Sequence, residues 1–435
     1  MTTPYLDVNR VRRHFPGLQS DMVFMDNAGG SQVLGIVVDR ITQYMTQYNV
    51  QLGASYPLSV LAGEKCDQAH ADLAAYINAQ SPAEVVMGTS CTMVLRLLSL
   101  CLAKQWSAGD EVIVTSSEHE ANLSCWRDLR ERGIVVRTWQ LNPDTLEFEL
   151  DDLHALMRDR TQLVTITHVS NILGTINPIE EIAKMVHDFG ALLCVDGVAL
   201  APHRAIDVQA WDVDFYTFSW YKVYGPHQGL LYGKRHLLES MPGINHHGID
   251  AIPYKFQPGN FNYELTYGSA GVVSYLEKLY DSHYSPAEDN PREDIAQRKT
   301  REKAYRLKRN QKHKEIHKKV VGSFQLIADY EELLASRVLD FLDDTNRLKI
   351  IGHSSAEQHL RVPTISFVHH HKKSSEIVHA VDQHNIGIRF GNFYSNELID
   401  SLQLRQKEGV IRVSLAHYNT SEEVDRLIHA LETVV

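Results

Sequence analysis

Short apolar runs alternate with longer amphipathic stretches along most of the chain. Residues 84–87, 111–115, 135–141, 163–167, 192–196, 215–219 and 230–232 read as strands, rich in β-branched and aromatic positions. Between them, 52–78, 93–105, 150–157 and 179–189 carry helical spacing. Alternation of this kind predicts an α/β fold with a mostly parallel sheet covered on both faces. Further on, a helix at 324–342, a strand at 362–368, a helix at 375–384, a strand at 410–415 and a last helix from Ser421, with Thr420 as N-cap, predict a second, smaller α/β unit. The expected division is a large domain at 21–280, a charged insertion at 281–322, and a small domain at 323–435 joined by 1–20.

Polar residues gather where the predicted strands end. Glu118, His119 and Asn122 follow the strand at 111–115, His168 and Asn171 follow 163–167, and Asp196 closes 192–196. In a parallel sheet these ends share one edge, where ligands bind, so His119, Asn171, Asp196 and Lys222 should converge. Lys222 lies in VDFYTFSWYKVYGP (213–226), after a strand and before the turn at Gly225-Pro226. Among Trp220, Tyr221 and Tyr224 it is partly desolvated, which favours the neutral amine and a Schiff base. A surface lysine beside a turn is the alternative reading. Gly88-Thr89-Ser90-Cys91-Thr92 opens the next helix with small and hydroxyl residues, suited either to a phosphate or to ordinary N-capping.

Composition narrows the class. At 435 residues and 43% hydrophobic content the chain can bury a large core. No run suits a signal peptide or membrane span, because the richest, Met93 to Ala103, is broken by Arg96; a soluble cytoplasmic protein is expected. Cys66, Cys91, Cys101, Cys125 and Cys194 show no paired spacing, so reduced thiols are expected. His369-His370-His371 ends a strand, where neighbours face opposite sides, and no metal site is expected there. The net charge of −11 argues against general nucleic-acid binding, yet residues 298–319 hold eleven Lys or Arg against two Glu, a local charge of +9. This block reads as a solvated helix or arm, with an acidic partner as its functional alternative.

DNAGGSQ (26–32), EHEAN (118–122), HVSNILGTINPI (168–179), VDG (195–197), FSWYKVYGP (218–226) and RVSLAHYNTSEEVDRL (412–427) together closely resemble the class V aminotransferase superfamily of pyridoxal phosphate enzymes, fold type I. Within it the chain is most similar to cysteine desulfurases and selenocysteine lyases. The resemblance implies pyridoxal 5'-phosphate as cofactor, a small amino acid as substrate and a homodimer. It assigns Lys222 to the cofactor's imine, Asp196 to the pyridinium and His119 to the ring face and proton relay. Asn171 goes to the phenolic oxygen, and Arg412, assisted by Arg389, to the substrate carboxylate. Ser90, Cys91, Ser219 and Tyr221 are the phosphate candidates, and Asn260 would reach the phosphate of the other subunit.

Departures from the pattern shape the expected activity. Tyr221 stands where many desulfurases have histidine, Ala199 where they have glutamine, and 388–400 has no cysteine where persulfide-forming relatives carry one, Tyr394 lying nearest that place. The expected function is therefore desulfurase-like chemistry at the α-carbon, including carbon–sulfur cleavage by elimination, without the usual thiol. The alternatives are an epimerase or aminotransferase on the same fold, or a non-catalytic cofactor-binding scaffold working through its basic block.

Overall fold

The computed structural model describes residues 5–284 and 309–435. After a two-residue strand β1 (Val23–Phe24), seven strands build the large sheet: β2 (Val85–Gly88), β3 (Glu111–Thr115), β4 (Val135–Trp139), β5 (Thr161–Thr167), β6 (Leu192–Asp196), β7 (Phe215–Ser219) and β8 (Gly229–Gly233). Their spatial order is β2-β8-β7-β6-β5-β3-β4. From β7 to β4 every pairing is parallel. β8 runs against both neighbours, because the chain reverses directly after β7 and pairs Ser219 with Gly229. The interior strands are buried on both faces, as their unbroken apolar character requires, and only β4 at the edge shows exposed positions. Lys222 sits in the reversal between β7 and β8, at the sheet edge where β3, β5, β6 and β7 all end.

A four-stranded antiparallel sheet, ordered β12-β13-β10-β9, carries the second core. It comprises β9 (Leu348–Ile351), β10 (Thr364–His369), β12 (Arg389–Gly391) and β13 (Val410–Ser414), while the short β11 (Ile386–Gly387) pairs in parallel with β1. Val23 and Met25 thereby join this smaller core, whereas Val11 and Phe15 pack into the larger one. The expected attachment of 1–20 to the small unit thus differs from what is seen. Phe15 meets Tyr224 edge-on and Tyr418 at a tilt, all three within the larger core.

One helix, Arg309–Asp344, ties the two cores together. At 1.5 Å per residue it is about 54 Å long. Ile316, Val320, Phe324 and Ile327 bury into the large core, and Leu334, Val338 and Leu342 into the small one. Of the basic block only 309–319 falls here: it is helical, with Lys314 and Lys318 exposed as a solvated helix would have them and with Ile316 buried against the large core. Residues 298–308 lie outside the described residues, but from Ile316 onward an apolar stripe at spacings of four, four and three continues past the block's end. Cutting the pattern at Lys319 hides that stripe. Among the described residues no helix is long and apolar enough to cross a membrane.

Candidate active site

Lys222 is delivered by a one-turn helix, Trp220–Lys222, that follows β7 directly. It is 9% exposed, and its amine is pulled down to about 8, first by burial and then by the Arg412 cation, against the opposing pull of Asp196. Asp196, the last residue of β6, accepts a 2.9 Å hydrogen bond from the Val198 N–H at Oδ1. Burial raises its carboxyl to about 6, with that bond and Lys222 holding it from going further. A buried lysine and a buried carboxylate thus face one another electrostatically at neighbouring strand ends.

His119 stands beyond β3, half-buried. Its Nδ1 accepts the Ala121 N–H at 3.1 Å, so the ring proton sits on Nε2. Burial, Lys222 and Arg412 push it down to about 4 against the pull of Glu120, which keeps the ring neutral. Beside it, Glu118 is buried with three partners: Thr115 Oγ1 at 2.5 Å, the Thr167 N–H at 2.6 Å and Asn122 Nδ2 at 2.8 Å. Burial lifts Glu118 to about 8 despite these donors, and Asp196 adds to the rise.

Three of the four phosphate candidates, Ser90, Cys91 and Ser219, meet at the opening of the helix Cys91–Leu102. Ser90 caps it, Oγ accepting from the Met93 N–H at 3.2 Å, and the Cys91 N–H donates to Ser219 Oγ at 3.3 Å. Gly229 makes this closeness possible, since a Cβ there would lie 2.4 Å from the Ser90 carbonyl carbon. The Cys91 side chain departs from expectation: its sulfur packs against Thr217 Oγ1 at 3.5 Å, down on the sheet, so only its backbone belongs to the helix opening. Tyr221 lies parallel to His227 at 4.8 Å and covers Gly30.

Arg412 is 2% exposed on β13, opposite Arg389 on β12. Its Nη2 reaches Asp26 Oδ1 at 2.9 Å and its Nη1 the Asn171 carbonyl at 3.1 Å, while Nε is buried without a partner among the described residues. Arg389 is more than half exposed and holds only the other oxygen of Asp26, at 3.3 Å. Asn171 is committed in part to the segment after β12: Nδ2 donates to the Phe393 carbonyl at 3.0 Å and Oδ1 accepts from Ser395 Oγ at 2.8 Å. Asn260 is not brought to this cluster. It is exposed and pairs with Gln51.

Sequence reasoning left Asp26, Glu118 and Phe393 out of the site. Asp26 opens the DNAGGSQ stretch and Glu118 the EHEAN stretch, but nothing in their spacing says that one grips an arginine and the other stays buried. An open cavity of about 1370 Å³, bordered by Leu61, Asp72, Tyr254 and Lys312, lies elsewhere; none of Lys222, Asp196, His119 or Arg412 lines it. Among the described residues no group of three or more His, Cys, Asp or Glu is placed to hold a metal ion.

Comparison with known proteins shows the family to which the chain belongs. The family described as aminotransferase class-V matches residues 23–321 and 320–427. The chain is 38% identical over 445 residues to an aminotransferase-like protein of Gibberella zeae, covering 100% of both. It is 31% identical over 447 residues to a cysteine desulfurase-like protein of Aspergillus flavus, covering 99% of this chain and 91% of that one. In fold it resembles an apo cysteine desulfurase from Thermococcus onnurineus, with a TM-score of 0.82 at 22% identity over 100% of this chain and 99% of that one. The protein is therefore a member of the aminotransferase class-V family, of cysteine desulfurase-like type.

Proposed function

We propose that this protein binds pyridoxal 5'-phosphate through Lys222 and acts at the α-carbon of a small amino acid. The observation that carries the reading is the burial of Lys222 between Asp196 and Arg412, which leaves a large share of its amine neutral and nucleophilic near pH 8. When bound, the cofactor supplies an electron sink for charge developing at the substrate's α-carbon. The donor set suits it. Asp196 offers a buried carboxylate to a ring nitrogen, and the neutral His119 ring offers a face. The helix opening at Ser90 and Cys91, with Ser219 and Tyr221, offers dipole and hydroxyls to a phosphate.

With substrate bound, the Lys222 amine would serve as the base and acid for the α-proton. Arg412 keeps its Nε–H for a carboxylate, with Arg389 as a second, more exposed cation at the mouth. No thiol stands ready for persulfide chemistry: the five cysteines are buried, and the segment at 388–400 has none. Sulfur taken from cysteine would leave as sulfide, unless cysteine is not the substrate. Convergence of four titratable groups with shifted proton affinities favours an enzyme over a cofactor-binding scaffold.

The test is an amino-acid panel given to the protein loaded with pyridoxal phosphate, followed for sulfide, pyruvate and racemised product. Visible absorption of lysine-bound cofactor is expected in the native protein and absent in Lys222→Ala. Normal absorption in that variant would place the cofactor on another lysine. A second copy of the chain is expected to complete the site through Asn260, and sedimentation at micromolar concentration should show a dimer; a fully active monomer would remove that part of the reading.

A further inference from the structure

Phe393 and Tyr394 are consecutive non-glycine residues in the left-handed region, at φ +50° and +59°. Such a conformation persists only where its surroundings enforce it, and it concentrates at functional sites. Here the enforcement is dense. The Phe393 carbonyl accepts from Asn171 Nδ2 at 3.0 Å, the Tyr394 carbonyl from the Glu120 N–H at 2.8 Å, and the Tyr394 N–H donates to Asn392 Oδ1 at 3.1 Å. Ser395 and Asn396 add side-chain bonds to Asn171 and Glu120. The segment is pinned onto the site from both the His119 and Asn171 sides.

What the strained backbone achieves is one contact. The Phe393 ring lies face-on to the Arg412 guanidinium, its centroid 3.7 Å from Cζ. That guanidinium is held at Nη1 by Asn171 and at Nη2 by Asp26, and its buried Nε–H has no acceptor among the described residues. A buried donor without an acceptor is costly and rare, so it points to a ligand that supplies one. With Asp26 and Asn171 on two nitrogens and an aromatic face beneath, the plane of the group can neither tilt nor slide.

We propose that Phe393 is a positioning residue for carboxylate recognition, holding the Arg412 plane so that the free Nε–H meets the carboxylate of the incoming amino acid. The proposal rests on the cofactor and substrate reading above, but it concerns the carboxylate alone. Its test separates the two. Aminooxyacetate and methoxyamine carry the same O–NH₂ nucleophile, which forms its C=N bond to the cofactor carbon as Lys222 is released; only aminooxyacetate adds a carboxylate.

In the loaded protein, the ratio of their capture rates reads carboxylate recognition. Phe393→Leu keeps apolar bulk without an aromatic face and should lose about tenfold of that ratio, a typical cation–π contribution at a desolvated site. Phe393→Tyr should keep the ratio, with methoxyamine rates equal in native, Phe393→Leu and Phe393→Tyr protein, and Arg412→Gln should abolish the ratio whatever its methoxyamine rate. In protein free of cofactor, acetate should raise the melting temperature of the native chain and of Phe393→Tyr more than that of Phe393→Leu. Equal ratios and equal acetate shifts in native and Phe393→Leu protein overturn the proposal, as does a ratio that survives Arg412→Gln. Failure to take up pyridoxal phosphate, with the acetate difference intact, would instead overturn the cofactor reading and leave Phe393 in its role.

Discussion

Asp26 grips Arg412 across 386 positions of sequence, Oδ1 to Nη2 at 2.9 Å, and with its other oxygen also reaches Arg389. The two ends of this relationship differ in burial: the Arg412 side chain is 2% exposed, that of Asp26 30%. Removing the charge of Asp26 therefore leaves a buried cation with one ionic partner fewer. Asp26→Asn should destabilise the protein by about 2 kcal/mol, below the roughly 3–5 kcal/mol of a fully buried broken pair because Asp26 is itself partly exposed. Arg389→Ala, which gives up only an exposed contact, should cost less than about 1 kcal/mol. Urea unfolding of the two variants checks the ordering, and an Asp26→Asn cost no larger than that of Arg389→Ala would contradict it.

The proton affinity of Lys222 sets a pH signature. Its folded value of about 8, below the ordinary 10.5, means that the neutral amine accumulates through pH 8. Covalent capture of added pyridoxal phosphate by cofactor-free protein should rise with that midpoint. Arg412→Met removes a cation that favours the neutral amine and should move the midpoint up. Asp196→Asn removes an anion that favours the charged amine and should move it down. Stopped-flow absorbance gives all three midpoints, and shifts of the same sign would rule out this electrostatic account.

Glu118 couples stability to pH. Its folded value of about 8 lies above the ordinary 4.5, so the folded state holds the proton more tightly. Its contribution is complete below pH 4.5 and lost as pH rises through 8. Asp196 behaves likewise but finishes near pH 6, and His119, depressed to about 4, acts in the opposite direction and finishes by pH 6.5. Between pH 6.5 and 8 the native protein should lose about 1–2 kcal/mol that Glu118→Gln does not lose. His187, held up by its hydrogen bond to Asp214, titrates in both proteins and cancels. Denaturant midpoints at pH 6.5 and 8 measure the difference in slope, whatever the variant's absolute stability.

Burial also keeps the thiols protonated. It raises Cys66 and Cys101 to about 11, Cys125 to about 12, and Cys91 and Cys194 well above the ordinary value. At neutral pH the thiolate fraction of each is on the order of one in ten thousand or less. Iodoacetamide at pH 7 should leave cofactor capture intact, and mass spectrometry after incubation with cysteine should find no persulfide. A stoichiometric persulfide on one of the five would restore a desulfurase with a relocated nucleophile.

Local chemistry wrote much of this protein. The run of apolar strands made a parallel sheet legible, and the polar residues at the ends of β3, β5 and β6 pointed to the edge after which Lys222 lies, because parallel strands share one terminal edge. Thr420 caps the last helix as its hydroxyl predicts, accepting the Glu423 N–H. The helix Arg309–Asp344 was legible only in its second half, since the eye stops at charge while burial follows the stripe that begins at Ile316.

Other features were set by contacts between residues far apart in the chain, which no spacing encodes. Asp26 becomes the partner of Arg412 only when β1 and the residues after it are laid beside β13. The Cys91 sulfur turns toward Thr217 because Gly229 draws the helix opening down onto β8. Phe393 reaches the Arg412 face through a left-handed backbone that Asn171 and Glu120 enforce from a different part of the fold. Periodicity and turn chemistry act over a few residues, so they specify the elements and the edge where they end. Which groups are buried together there depends on segments far apart in the chain, and burial is what moves their protons and fixes their orientation.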